Sequence, residues 1–131
     1  MHNPVSHFEI YADNPKGLAG FYTDVFDWKV EAMPGNDDYL LVQTVDVDAQ
    51  RMAKQAGGIN GGIMKRPDPK APNLINYVSV DSLDGALERA GKLGAKVMKE
   101  KAPVPGMGWF AILSDPEGNA FALWQQDKAA A

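Results

Sequence analysis

Apolar and polar positions along the chain fall into a pattern that occurs twice. The first copy opens with His7-Phe8-Glu9-Ile10-Tyr11-Ala12, where side chains alternate with the period of a strand. Asn14 suits a helix N-cap and Pro15 the first helical position. Leu18, Phe21, Tyr22 and Val25 then stand at i, i+3, i+4 and i+7, which predicts one apolar helix face. Trp28 to Met33 reads as a strand, Pro34-Gly35-Asn36-Asp37-Asp38 as a turn, and Tyr39 to Thr44 as the returning strand. Residues 46–58 lack apolar periodicity and read as a surface loop, and Ile59 to Met64 follows as a last strand. This half is β-α-β-β-β.

Arg66-Pro67-Asp68-Pro69-Lys70-Ala71-Pro72 is a stiff, extended linker, because proline fixes φ and biases the residue before it. Beyond it, Ile75 to Val80 reads as a strand, and Leu83, Ala86, Leu87 and Ala90 repeat the helical stripe. Gly94 ends that helix, and a strand from Ala95 to Lys99 precedes a loop from Ala102 to Gly106. Two more strands, Gly108 to Ser114 and Ala120 to Trp124, are joined by the turn Asp115-Pro116-Glu117-Gly118-Asn119. Lys29-Val30 recurs 67 positions later as Lys96-Val97, while Ala12 matches Val80 at a spacing of 68. A long period present twice predicts two modules of one domain rather than a solenoid, at about residues 5–65 and 74–126, with the linker at 66–73.

Composition narrows the function. The 131 residues suffice for one core, and the absence of cysteine excludes disulfides, zinc-thiolate sites and cysteine nucleophiles. The cytoplasm is therefore the expected location. The amino-terminal residues carry no basic flank with an apolar run, and no stretch approaches the ~20 apolar residues of a membrane helix, so no membrane partner is expected. A net charge of -4, with basic residues scattered except around Lys96, Lys99 and Lys101, argues against nucleic acid. Lys128 to Ala131 reads as a frayed tail.

The candidate chemistry is sparse. His7, Glu9 and Tyr11 share one strand face by alternation, leaving Phe8, Ile10 and Ala12 to cover the helix. His7 is either an ordinary hydrogen-bonded strand histidine or a ligand-facing group. Glu9 is expected to face a ligand or the rim, where it could accept a proton. Trp109, Phe110 and Trp124, with Tyr77 and Gln43, are candidates for a ligand-facing surface, although strand aromatics more often fill cores. Gly57-Gly58 and Gly61-Gly62 lack the Lys-Ser/Thr and following helix of a phosphate-binding loop.

With both halves in view, the sequence resembles the vicinal oxygen chelate superfamily, which includes glyoxalase I, extradiol dioxygenases and bleomycin resistance proteins. The resemblance rests on the His7-Phe8-Glu9-Ile10 opening, on Phe21-Tyr22 with Val25-Phe26-Asp27-Trp28 where relatives commonly carry glycine for Asp27, and on Ser114-Asp115-Pro116-Glu117-Gly118-Asn119. It implies an α+β fold in which two β-α-β-β-β modules form an open barrel around a cavity, the glyoxalase/bleomycin resistance-like fold. It also implies a homodimer and a cavity that holds a metal in many relatives. Of the implied ligand positions, His7 keeps a donor, but Gly62, Ile75 (or its neighbour Leu74) and Ala122 do not. No metal and no cofactor are therefore expected. Two functions remain open: binding a small organic molecule in an aromatic-lined cavity, or a glyoxalase-like lyase or isomerase reaction using His7 and Glu9.

Overall fold

A computed structural model describes residues 2–131; Met1 lies outside them. The chain divides into two compact units, His7–Leu74 and residues 2–6 with Ile75–Ala131.

The first unit carries β1 (Val5–Ala12) from His7 onward, α1 (Pro15–Phe26), β2 (Lys29–Met33), β3 (Asn36–Gln43) and β4 (Asn60–Lys65). Its strands lie in the order β2-β3-β4-β1, with β1 parallel to β4 and the other pairs antiparallel. The Asn14 side chain accepts from the Gly17 N–H at 3.2 Å to start α1. At the other end, Asp27 takes the left-handed conformation (φ 59°) and donates its N–H to the Thr23 carbonyl. Ala12, Ala19, Leu40, Val42 and Ile63 form the core between helix and sheet, with Phe8, Ile10, Leu18, Tyr22 and Trp28 packed around it. Tyr22 stacks on Trp28 at 4.9 Å between ring centroids.

Two expectations need correction here. Phe21 and Val25 are 56% and 54% exposed, because the buried side of α1 is at Ala19, from which they lie about 160° and about 120° round the helix. The hairpin turn is also shorter than predicted. Gly35 takes positive φ (82°), which lets the chain reverse at once and pair Asn36 with Met33. The linker is held by Arg66, whose guanidinium donates to Asn73 Oδ1 at 2.8 Å and pairs with Asp13 at 3.3 Å.

The second unit carries β5 (Leu74–Ser79), α2 (Leu83–Lys92), β6 (Lys96–Val104), β7 (Gly108–Ser114) and β8 (Ala120–Gln126), with strand order β5-β8-β7-β6. Ser82 Oγ accepts from the Gly85 N–H at 3.1 Å, and Asp84 in the first turn with Arg89 and Lys92 in the last complement the helix dipole. Leu83, Ala86, Ala111, Leu113 and Leu123 are buried together, with Leu87 and Ala90 against them, as the stripe predicted. The Asp115 side chain accepts from the N–H groups of Glu117 and Asn119, both at 2.9 Å, and Gly118 takes φ 84°. Those bonds hold the Asp115 carboxyl below its usual range.

β6 runs through Ala102, Pro103 and Val104, which the sequence placed in a loop. It pairs on one side with β7, so the N–H that proline lacks is tolerated, and two register shifts absorb the irregularity. The carboxyl terminus is not frayed. Ala130 is buried, its carbonyl accepts from the Gly106 N–H at 2.9 Å, and its own N–H donates to the Asp127 carbonyl. Among the described residues, no helix is long and apolar enough to cross a membrane.

Candidate functional site

In the first unit, alternation sends Phe8, Ile10 and Ala12 into the helix-side core and leaves His7, Glu9 and Tyr11 on the opposite face. On β3, Leu40 and Val42 are the core positions, so Tyr39, Leu41 and Gln43 face away from the helix too. Tyr39 sits across from Met64, and its ring leans over Gly62, where a Cβ would collide with the phenol. From there the Tyr39 hydroxyl donates to Glu9 Oε2 at 2.8 Å and lies 2.9 Å from His7 Nε2. Tyr11 donates to Glu9 Oε1 at 3.4 Å.

These distances define the protons. Tyr39 has one hydroxyl proton and gives it to Glu9, so its oxygen accepts from His7, which places the imidazole proton on Nε2. Desolvation lowers the His7 pKa to about 4, so the ring is neutral at pH 7. Burial, then the charge of Glu9 and its hydrogen bond, push the Tyr11 phenol above its ordinary range, and it remains a donor. Glu9 is 7% exposed and held by two phenols, so it does not stand at an exposed rim, which corrects that part of the sequence expectation. A carboxyl in an apolar module is tolerable only with such donors.

Tyr39 was missed by sequence reasoning. Its signal was Gly62 beside Gly61 in a strand, which marks a place where something must come close; the visitor is a side chain of the neighbouring strand.

In the second unit, register places Tyr77, Ala122, Ile112 and Lys99 in one row across the strands, and Ser79, Trp124, Phe110 and Ala102 in the next. Both rows face away from α2, whose side holds Val78, Ala111, Leu113 and Leu123. The Tyr77 and Phe110 rings are 6.5 Å apart over the small Ala122, and the Trp124 ring lies beside Gly108. Trp109 does not belong with them. As the neighbour of Phe110 it points to the helix side, packs in that core and donates from Nε1 to Asp127 Oδ2 at 3.1 Å.

The residues present do not fit the metal that the resemblance implies. His7 Nε2 is directed at Tyr39, both Glu9 oxygens accept from phenols, and Gly62, Ile75 and Ala122 offer no donor side chain. Among the described residues, no three His, Cys, Asp or Glu side chains converge. Two surface depressions of about 450 and 250 Å³ flank Asp13, one lined by Arg66, Pro67, Asp68 and Pro69, the other by Lys16, Asp37, Asp38 and Lys65 among others. None of the predicted ligand-binding residues lines either one.

Two β-α-β-β-β modules, together with the match of a glyoxalase-like family model, place the chain in the vicinal oxygen chelate superfamily. A superfamily member from Vibrio splendidus 12B01, described as glyoxalase/bleomycin resistance protein/dioxygenase, superposes with a TM-score of 0.63 at 13% identity, covering 96% of this chain and 100% of that one. The chain belongs to the glyoxalase-like domain family, which matches residues 7–124. The glyoxylase-named CFP32 of Mycobacterium bovis is 30% identical over 118 residues, 88% of this chain and 41% of that protein. The anthracycline biosynthesis protein DnrV of Streptomyces peucetius is 27% identical over 128 residues, 91% of this chain and 46% of that protein. The chain thus spans less than half the length of these curated relatives.

Proposed function

We propose that this glyoxalase-like protein binds a small organic molecule without a catalytic metal. The observation that carries the reading is the Tyr39 phenol standing over Gly62, bonded to both His7 and Glu9. It fills the space a closing-strand ligand would need and engages the groups a metal would otherwise draw. The aromatic face of Tyr77, Phe110 and Trp124 supplies stacking area for a flat molecule, as small-molecule sites generally do. The name of DnrV, an anthracycline biosynthesis protein, agrees with such a ligand. We place this activity in the cytoplasm and in a homodimer, for which light scattering is expected to give twice the 14.2 kDa of one chain.

A second reading has one observation in its favour. The line from the His7 imidazole through the Tyr39 hydroxyl to Glu9 could pass a proton during metal-free isomerisation next to a carbonyl, an effect of about 10²–10⁴-fold. The discriminating experiment is a thermal-shift and tryptophan-fluorescence screen of metabolites and antibiotics in the presence of EDTA, run beside an assay for loss of the methylglyoxal–glutathione adduct. Saturable binding without turnover is expected. Turnover in EDTA that Glu9→Gln abolishes would replace the binding reading with the enzyme.

A further inference from the structure

Three lysines of β6, Lys96, Lys99 and Lys101, have odd company for a protein of net charge -4. Strict alternation would put Lys99 and Lys101 on the same face of the sheet. The register shift between Lys99 and Ala102 separates them: Lys99 pairs with Ile112 and Ala102 with Phe110, so three steps along β6 oppose two along β7. Lys101 is thereby turned to the helix side, where its ammonium lies 4.7 Å from the centre of the Trp109 ring and pairs with Asp84 at 3.2 Å. Lys99 stays on the other face, its ammonium 5.8 Å from the centre of the Phe110 ring. Lys96, opposite Ser114, lies on that same face toward the strand's other end.

The one acid on β6 is Glu100, which forms no ion pair with Lys99 among the described residues. β5, β7 and β8 contain no aspartate or glutamate, and the rows across this face hold Tyr77, Phe110 and Trp124. Lys99 has no carboxylate within ion-pair distance among the described contacts, in contrast to Lys101. We infer that the face of the second unit opposite α2 is a subsite for a flat aromatic anion, with Phe110 and Trp124 as stacking surfaces and Lys99 as the counter-charge. This rests on the binding reading above and specifies its ligand class: an aryl carboxylate, or a phenolate of comparable size. A neutral aromatic would use the rings but leave the ammonium unanswered, and an aromatic cation would be repelled.

The test compares naphthalene-2-carboxylate with the isosteric naphthalene-2-carboxamide by calorimetry and tryptophan fluorescence on the intact chain at low and high salt. The carboxylate is expected to bind about three- to tenfold tighter than the amide at low salt, a margin that shrinks as salt rises. Lys99→Gln, at an exposed position on a strand edge, is expected to erase the margin, as is Lys99→Met, which keeps much of the aliphatic stem. Lys101→Gln is expected to preserve it, since that ammonium faces the helix. Equal binding of the two probes, or a margin that survives Lys99→Gln, overturns the inference. If the carboxylate fails to bind up to millimolar concentration while neutral or cationic members of the screen do, the anion subsite is wrong and the binding reading stands; if the whole screen fails, both fall.

Discussion

At the scale of single residues, the module that holds His7 turns on the missing side chain at position 62. Tyr39 reaches Glu9 and His7 only because Gly62 leaves its phenol room, so the glycine and the tyrosine act as one feature. Gly62→Ala would push the ring aside, leaving a buried carboxyl short of one donor, with an expected cost of about 1–3 kcal/mol. Tyr39→Ala removes the ring and the donor together. In that background, Gly62→Ala should cost close to nothing, because the collision is gone. Urea denaturation of the two single variants and the double variant measures this coupling. Additive losses would show that Gly62 serves some other neighbour. Little of this was legible in the sequence: His7, Glu9 and Tyr11 could be placed on one face by alternation, but a contact between adjacent strands depends on register, which a one-residue slip would abolish.

At the scale of elements, the helices show what local pattern can and cannot specify. The α2 stripe Leu83, Ala86, Leu87 and Ala90 packs as its spacing predicts. In α1 the same spacing chose Phe21 and Val25 over Ala19, because apolar residues surround much of that helix and only the packed sheet selects the buried side. Trp109 was misassigned for the converse reason: two adjacent aromatics cannot share a strand face, and the pattern alone did not say which one faced α2. The departure at Asp27 is better understood. The resemblance implies glycine there, and here the residue takes φ 59° to close the helix. Asp27→Gly relieves a left-handed penalty of about 1 kcal/mol and adds backbone entropy to the unfolded chain, so a net gain of about 0.5 kcal/mol is expected. Thermal or urea unfolding reads it directly. A loss of stability would mean that the aspartate side chain contributes to the cap.

At the scale of the whole molecule, His7 sets an expected dependence of stability on pH. Its pKa falls from 6.5 to about 4 on folding because burial disfavours the charged ring. Between those values the unfolded chain binds a proton that the folded chain refuses, so stability rises with pH across this window and is lost on acidification from 6.5 toward 4. The slope approaches about 1.4 kcal/mol per pH unit in mid-window. Asp115 and Asp127 work in the same direction but lower down. Their pKa values are depressed by backbone N–H groups of the turn and tail, together with Asn119 for Asp115 and Trp109 for Asp127, so their contributions are present above the ordinary carboxylate range and vanish as pH falls through their folded values. The two effects therefore separate along the pH axis. Urea midpoints measured from pH 7 to pH 4 should fall for the native sequence and stay nearly level for His7→Gln, whose amide can still donate to the Tyr39 oxygen without titrating. Below pH 4 the two proteins should lose stability together, as the carboxylates protonate. A variant that declines as steeply as the native chain between pH 6.5 and 4 would show that the loss does not come from this ring and that burial does not lower its pKa.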